Sequence, residues 1–222
     1  MTRGSWLPSS PRRRRRGALH AHNGELERGR ELARELGAAL PGTIVTTSGG
    51  CGAHLAGVLG VERVQEFSQW WLAREGPASA PGPATAPAPA PAPEAGAGAG
   101  AHAGLAGAPA AHRLRIGLQD SCHLRNGLGV WREPRELIAR IGEYVELPSA
   151  AACCGAAGSY SVVRPQDSAR VLDPHLDEIA AADLDMLVVV NAGCYRQLQQ
   201  GVKRRGLSTR VIHIAELLAG EQ

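Results

Sequence analysis

Polar and apolar positions along Gly24 to Leu40 recur with a helical period, Leu26, Leu32, Ala33 and Leu36 on one face and charges opposite, which predicts an amphipathic helix stopped by Pro41 and Gly42. Thr43 to Thr47 is β-branched throughout and predicts a short strand running into Ser48, Gly49, Gly50 and Cys51. A second helix is expected from near His54 to about Arg74. Further on, Leu114 to Leu118 predicts a strand that stops just before Asp120, Ser121, Cys122 and His123. Pro134 to Ile141 predicts a helix with proline in its first turn, and Tyr144 to Leu147 a short strand that delivers Cys153, Cys154 and Gly155. After a helix from about Pro165 to Ala182, the nearly uninterrupted apolar run Met186 to Val190 suits a parallel strand covered on both faces, and it ends at Asn191, Ala192, Gly193 and Cys194. A helix to about Arg205, a strand at Arg210 to His213 and a helix at Ala215 to Ala219 complete the pattern. Strands alternating with helices place the chain in the α/β class, with short, mainly parallel strands and flanking helices.

The pattern repeats. Gly17 to Cys51 and Gly155 to Cys194 share one order: a Gly-Ala turn, a charged helix, a short strand, then a loop ending in Gly and Cys. In this register Arg15 and Arg16 stand where Cys153 and Cys154 stand later, and no earlier cysteine matches Cys122. The fold expected is therefore a pair of duplicated lobes, the first incomplete. The expected division is a basic disordered arm at residues 1–16, the first lobe at 17–75, a linker at 76–111, and a second lobe carrying a metal site at 112–222.

Composition supports this division. Residues 76–111 are almost entirely Ala, Gly and Pro, too poor in large apolar side chains to offset the entropy of ordering. The formal charge of +3 rests on the run Arg12 to Arg16, without which the remainder is slightly acidic. A run of five arginines without aromatic interleaving or a basic groove is a weak nucleic-acid signal, and no specific nucleic-acid partner is expected. No apolar stretch is long enough to span a membrane, and the basic run lacks the apolar core of a signal peptide. A cytoplasmic location is expected, peripheral to the inner face of the cell membrane only through partners.

Five cysteines without a secretory signal point to metal binding or thiol chemistry in a reducing compartment rather than to a disulfide framework. Four of them, Cys122, Cys153, Cys154 and Cys194, follow predicted strands or flank glycines, so an open sheet would gather them at its carboxyl edge. Four thiolates suit either a tetrahedral zinc or a four-iron cluster. Two single cysteines and an adjacent pair do not make a zinc ribbon, which takes its ligands as two spaced pairs. Gly155 would let backbone N–H groups approach the sulfurs, and His123 and Asn191 are candidate donors behind the ligands. Cys51 reads as a small buried residue left from a degenerate first site.

The residues CCGAAGSY at Cys153 to Tyr160, DSCHL at Asp120 to Leu124 and NAGC at Asn191 to Cys194 resemble the cysteine-rich CCG domain found in heterodisulfide reductase and in the iron–sulfur subunits of glycolate, lactate and glycerol-3-phosphate dehydrogenases. GALHAHNGE at Gly17 and TTSGGCGAHL at Thr46 resemble the first copy of that domain in such subunits, and the strongest likeness is to the glycolate oxidase iron–sulfur subunit. The resemblance implies one 4Fe-4S cluster on Cys122, Cys153, Cys154 and Cys194, with zinc as the alternative metal. It implies an electron-transfer subunit, or a truncated piece of one, in a 2-hydroxyacid dehydrogenase complex, itself without a catalytic residue. The partners implied are a flavin-containing dehydrogenase subunit and a ferredoxin-like iron–sulfur protein, since the two four-cysteine runs of the family's ferredoxin-like region are missing from this sequence. The alternatives are a zinc-stabilised interaction domain without a redox role and a non-functional truncated remnant. Asn191 stands where heterodisulfide reductase has the first cysteine of a Cys-x-x-Cys, which leaves four ligands rather than five.

Overall fold

The computed structural model describes residues 16–75 and 113–220; the stretch read as a linker and the basic arm up to residue 15 lie outside the described residues. The first segment folds as α1 (Ala18–His22), α2 (Leu26–Ala39), β1 (Ile44–Thr46), α3 (Gly49–Leu59), a single 3₁₀ turn at Val61–Arg63, β2 (Val64–Glu66) and α4 (Phe67–Glu75). The second folds as β3 (Arg115–Gln119), α5 (Cys122–Leu128), α6 (Arg132–Ile141), β4 (Glu143–Val145), α7 (Tyr160–Val163), α8 (Pro165–Ala182), β5 (Met186–Val189), α9 (Ala192–Arg205), β6 (Arg210–His213) and α10 (Ile214–Ala219).

The long helix expected from His54 to Arg74 is instead two helices with a strand between them. The chain leaves α3 at Gly60, and Val64, Gln65 and Glu66 pair in parallel with Ile44, Val45 and Thr46. Without β2 the backbone groups of β1 would lack a ladder partner, a cost that outweighs the helical tendency of the local sequence. Three short helices that periodicity does not announce, α1, α5 and α7, begin before His20, at Cys122 itself and at Tyr160.

Two all-parallel sheets result: β1 with β2, and a four-stranded sheet in the order β4-β3-β5-β6. The apolar run on β5 is divided by the strand's two-residue period. Met186, Val188 and Val190 pack with Ile116, Leu118, Leu137 and Ile138 on one face, while Leu187 and Val189 pack with Leu172, Leu176, Ile179 and Leu198 on the other. Covering on both faces is what permits a strand with no polar side chain. A smaller core of Ala33, Leu36, Ile44, Leu55, Ala56 and Val64 holds the first segment together.

The element order α1-α2-β1-α3-β2-α4 recurs as α7-α8-β5-α9-β6-α10, each copy containing a parallel strand pair bridged by a helix. Even the entry turns agree. Gly17 and Gly155 have φ of 80° and 82°, and a Cβ on either would run into the backbone of the following long helix, at Gly29 and at Ser168. Among the described residues the first copy shows no counterparts of β3, α5, α6 and β4. It is nevertheless firmly attached: Phe67, Trp71 and Leu72 of α4 pack on the core of the second copy, and Gly127 of α5 lies against Ala53 of α3.

Candidate metal centre

Cys122, Cys153 with Cys154, and Cys194 follow β3, β4 and β5, adjacent strands of one parallel sheet, so all lie at the sheet's carboxyl edge. They open onto a single cavity of about 300 Å³. Its remaining wall includes Asn191, Gly193 and Ala156 from the second copy and His22, Ser48 and Cys51 from the first. Cys154 and Cys194 are buried, Cys122 is half-buried, and Cys153 is exposed at the mouth.

Each loop is fixed by polar side chains that the sequence alone does not single out. Buried Gln119, the last residue of β3, donates from Nε2 to the carbonyls of Ala150 (3.0 Å) and Ala152 (2.9 Å), and the Asp120 N–H donates to Ala150 O at 2.8 Å. The Cys122 loop and the approach to Cys153 are thereby locked together. His175 Nε2–H donates to Cys153 O at 3.0 Å, and Ser168 Oγ donates to Gly155 O at 2.8 Å, tying the Cys-Cys-Gly turn to α8. The Asp120 carboxylate, 1% exposed, accepts from Arg125 at 2.8 Å and from both terminal nitrogens of Arg135 at 2.9 and 3.1 Å. Gln119, Asp120 and Arg125 sit within or beside the DSCHL motif, whereas Arg135, Ser168 and His175 lie outside the motifs, and most of these roles depend on contacts distant in sequence.

The four thiols influence one another in series: Cys154 Sγ–H donates to Cys194 Sγ, 2.9 Å apart, and Cys122 and Cys153 feel the charge of the thiol next along. Burial, followed by the neighbouring Cys153 thiol, pushes the Cys122 thiol up. Cys153 is pushed up by donating to Cys154 and by burial. Cys154 is lowered by the bond it accepts from Cys153, yet its donation to Cys194 and its burial leave it at about 12. Cys194 ends the series and moves the other way: the bond from Cys154 favours its thiolate against burial, as does the Asn191 Nδ2–H at 3.6 Å. Its place in the first turn of α9 adds the favourable end of the helix dipole. The Gly155 N–H points at Cys153 Sγ from 3.4 Å. The residues beyond it are held in an uncommon backbone conformation, Ala157 at φ 36°, a strain that such loops carry at ligand sites.

Among the described residues no group of three or more His, Cys, Asp or Glu side chains is drawn together tightly enough to hold a single metal ion. Four thiols share one cavity wall, and their soft sulfur character fits an iron–sulfur cluster. Cys122, Cys153, Cys154 and Cys194 are the residues that would hold it, with backbone N–H groups and Asn191 donating to the sulfurs.

His123 stays at the wall, its Nδ1 3.5 Å from Cys122 Sγ and its ring tilted at 35° against His22 with centroids 4.7 Å apart. Burial, then the neighbouring His123 and His54, holds His22 below its ordinary value. His54 is turned away, its Nε2–H donating to Gly29 O at 3.0 Å. Cys51 does not stand in a site of its own: it lines the cavity that the other four share.

Residues 116–199 match the family described as the cysteine-rich domain, CCG, a span that contains all four candidate ligands. The chain is 31% identical over 91% of its length to a probable glycolate oxidase iron–sulfur subunit of Bacillus subtilis, covering 45% of that protein. It is 35% identical to lactate utilization protein A of a Geobacillus species over 47% of the chain and 44% of the relative, and 29% identical to the Bacillus subtilis protein of the same name over 52% and 49%. The chain thus spans about half, or slightly less, of the length of the curated relatives it matches. Sequence motifs, the parallel sheet with its cysteine-bearing edge, and these similarities agree in placing a cysteine-rich CCG domain at residues 116–199.

Proposed function

We propose that this chain is an iron–sulfur-binding electron-transfer subunit, or a piece of one, in a complex that oxidises a small 2-hydroxy acid of the glycolate or lactate type. The observation that carries the reading is the convergence of four cysteines from three adjacent strand ends on one cavity. A bound iron–sulfur cluster supplies one-electron transfer there, and a single 4Fe-4S cluster matches the four thiolates. The protein's residues do the rest. Gln119, His175 and Ser168 hold the ligand loops in place, the Gly155 N–H and Asn191 Nδ2–H stabilise negative charge on sulfur, and burial of Cys154 and Cys194 keeps water from the inner side. Exposed Cys153 marks the side from which an electron partner approaches. The similarity to glycolate oxidase and lactate utilization proteins supports a flavin-containing dehydrogenase subunit as electron donor and a ferredoxin-like iron–sulfur protein as the second partner. No described helix is long and apolar enough to cross a membrane, and a cytoplasmic placement, at the membrane's inner face by way of partners, fits the role.

The test is electron transfer itself. The full chain, loaded anaerobically with iron and sulfide, is mixed with a flavin-containing glycolate or lactate dehydrogenase subunit and its substrate. Bleaching of the thiolate-to-iron absorption within the time of turnover is expected. A loaded chain whose absorption is untouched by the reduced flavin subunit, but is bleached by dithionite, contradicts the role.

A further inference from the structure

Cys51 belongs to the first copy of the repeat, yet the fold places it in the wall of the second copy's cavity, half-buried among the same residues that Cys122 and Cys194 line. Its loop is pinned on both sides. Toward the Cys194 loop, Ser48 Oγ donates to Asn191 Oδ1 at 2.8 Å, the Gly50 N–H donates to the same oxygen at 3.2 Å, and the Gly49 N–H donates to Val190 O at 3.2 Å. Toward the Cys122 loop, Gly49 lies so close that a Cβ there would stand 2.7 Å from Ser121 Oγ. Ser48 and Asn191 occupy the same place in the two copies, three residues before Cys51 and before Cys194, so the copies meet at equivalent positions. Cys51 also lies in the first turn of an eleven-residue helix, α3, as Cys194 lies in that of α9, where a thiolate is favoured by the unpaired backbone N–H groups.

We propose that Cys51 supplies a fifth thiolate to this centre, so that the metal is gripped between the two copies and the cluster carries one ligand more than a simple four-thiolate cubane takes. The inference rests on the reading of the cavity as an iron–sulfur site. The Cys51 thiol releases its proton when metal binds, as the other four do. Asn191 then has two tasks: its Nδ2–H supports Cys194 while its Oδ1 holds the loop of Cys51. Loss of the cysteine pair that Arg15 and Arg16 replace leaves the first copy without a cluster of its own, and its remaining cysteine serves the neighbouring one.

The experiment compares the full chain with Cys51→Ala and Cys51→Ser, each loaded anaerobically with iron and sulfide. Iron loss to a chelator and the paramagnetic spectrum of the dithionite-reduced protein are recorded. The expected result is iron loss at least about tenfold faster from Cys51→Ala with an altered spectrum, and partial recovery in Cys51→Ser, whose oxygen still ligates iron. Identical iron loss and spectra in all three proteins overturn the proposal. Mass-spectrometric alkylation of the unaltered chain gives a second reading that no folding defect confounds. Cys51 protected on loading together with the other four supports it; four cysteines protected while Cys51 reacts as fast as in the metal-free chain overturns it and leaves the proposed function standing. An unaltered chain that takes up no iron overturns both.

Discussion

Asp120→Asn removes the buried charge that anchors the Cys122 loop while keeping its shape. The carboxylate is 1% exposed and accepts three bonds from two guanidinium groups, so its loss belongs with broken buried ion pairs, which cost about 3–5 kcal/mol. Two features reduce that figure. Arg135 keeps its bonds to Glu146 at 2.7 and 2.8 Å and to Trp131 O at 2.7 Å, and Arg125, 34% exposed, turns to solvent or to the face of Trp131, 5.1 Å away. The asparagine oxygen also still accepts from one arginine. A net cost of about 2–3 kcal/mol follows, each lost charge-assisted bond being worth roughly 1.5–3 kcal/mol before these offsets. Urea unfolding of the metal-free chain at neutral pH should show the midpoint falling by about 1 M, for an m of about 2 kcal/mol/M, with m unchanged. A change below about 0.5 kcal/mol would refute the reasoning, because it would mean that the arginines around Trp131 hold the loop without the carboxylate.

Glu66 is fully buried at the end of β2, its Oε2 accepting from the Ser68 N–H at 2.6 Å, and burial holds its carboxyl up at about 7 against an ordinary 4.5. The folded chain therefore keeps a proton that the unfolded chain releases, and stability falls as pH rises from about 4.5 through about 7, by about 3.5 kcal/mol at about 1.4 kcal/mol per pH unit. Glu66→Gln should abolish that slope in urea titrations taken at successive pH values, and an unchanged slope would assign it to another group. Asn191→Ala removes a donor to Cys194, so the pH at which the metal-free Cys194 thiol becomes reactive to iodoacetamide should move up; no movement would show that Asn191 does not support the thiolate. Gly49→Val places carbon 2.7 Å from Ser121 Oγ and 2.9 Å from Leu124 Cβ, an overpacking expected to cost about 1–3 kcal/mol in thermal or urea unfolding. Leu187→Ala, at a fully buried position in the central strand β5, should cost about 2–5 kcal/mol by the same measurement.

The second copy was largely legible in the sequence because its signals are local. The β5 run is too apolar for any site but a doubly covered strand, and α8 begins at Pro165 and ends at Ala182 as periodicity and the proline predict. The order of the repeat was legible for the same reason. The first copy was read less well, since Val64, Gln65 and Glu66 become a strand through pairing with β1, and a buried Glu66 is an unusual strand residue. Helix α5 escaped notice because seven residues containing Gly127 carry little periodic signal; packing of that glycine on Ala53 stabilises it. The gathering of cysteines at the sheet edge was expected from their places after predicted strands, and the order β4-β3-β5 makes those strands neighbours. What brings Cys51 there is the set of bonds from Ser48, Gly49 and Gly50 to Val190 and Asn191, contacts some 140 residues apart in sequence that no local pattern encodes.

The central claim, that Cys122, Cys153, Cys154 and Cys194 hold an iron–sulfur cluster, is tested most directly by measuring iron, acid-labile sulfide and zinc per chain in protein prepared under anaerobic conditions. Iron and sulfide in matching amounts with a reducible paramagnetic signal, lost together in Cys194→Ala, are predicted. One zinc per chain without sulfide, in the unaltered protein, would contradict it.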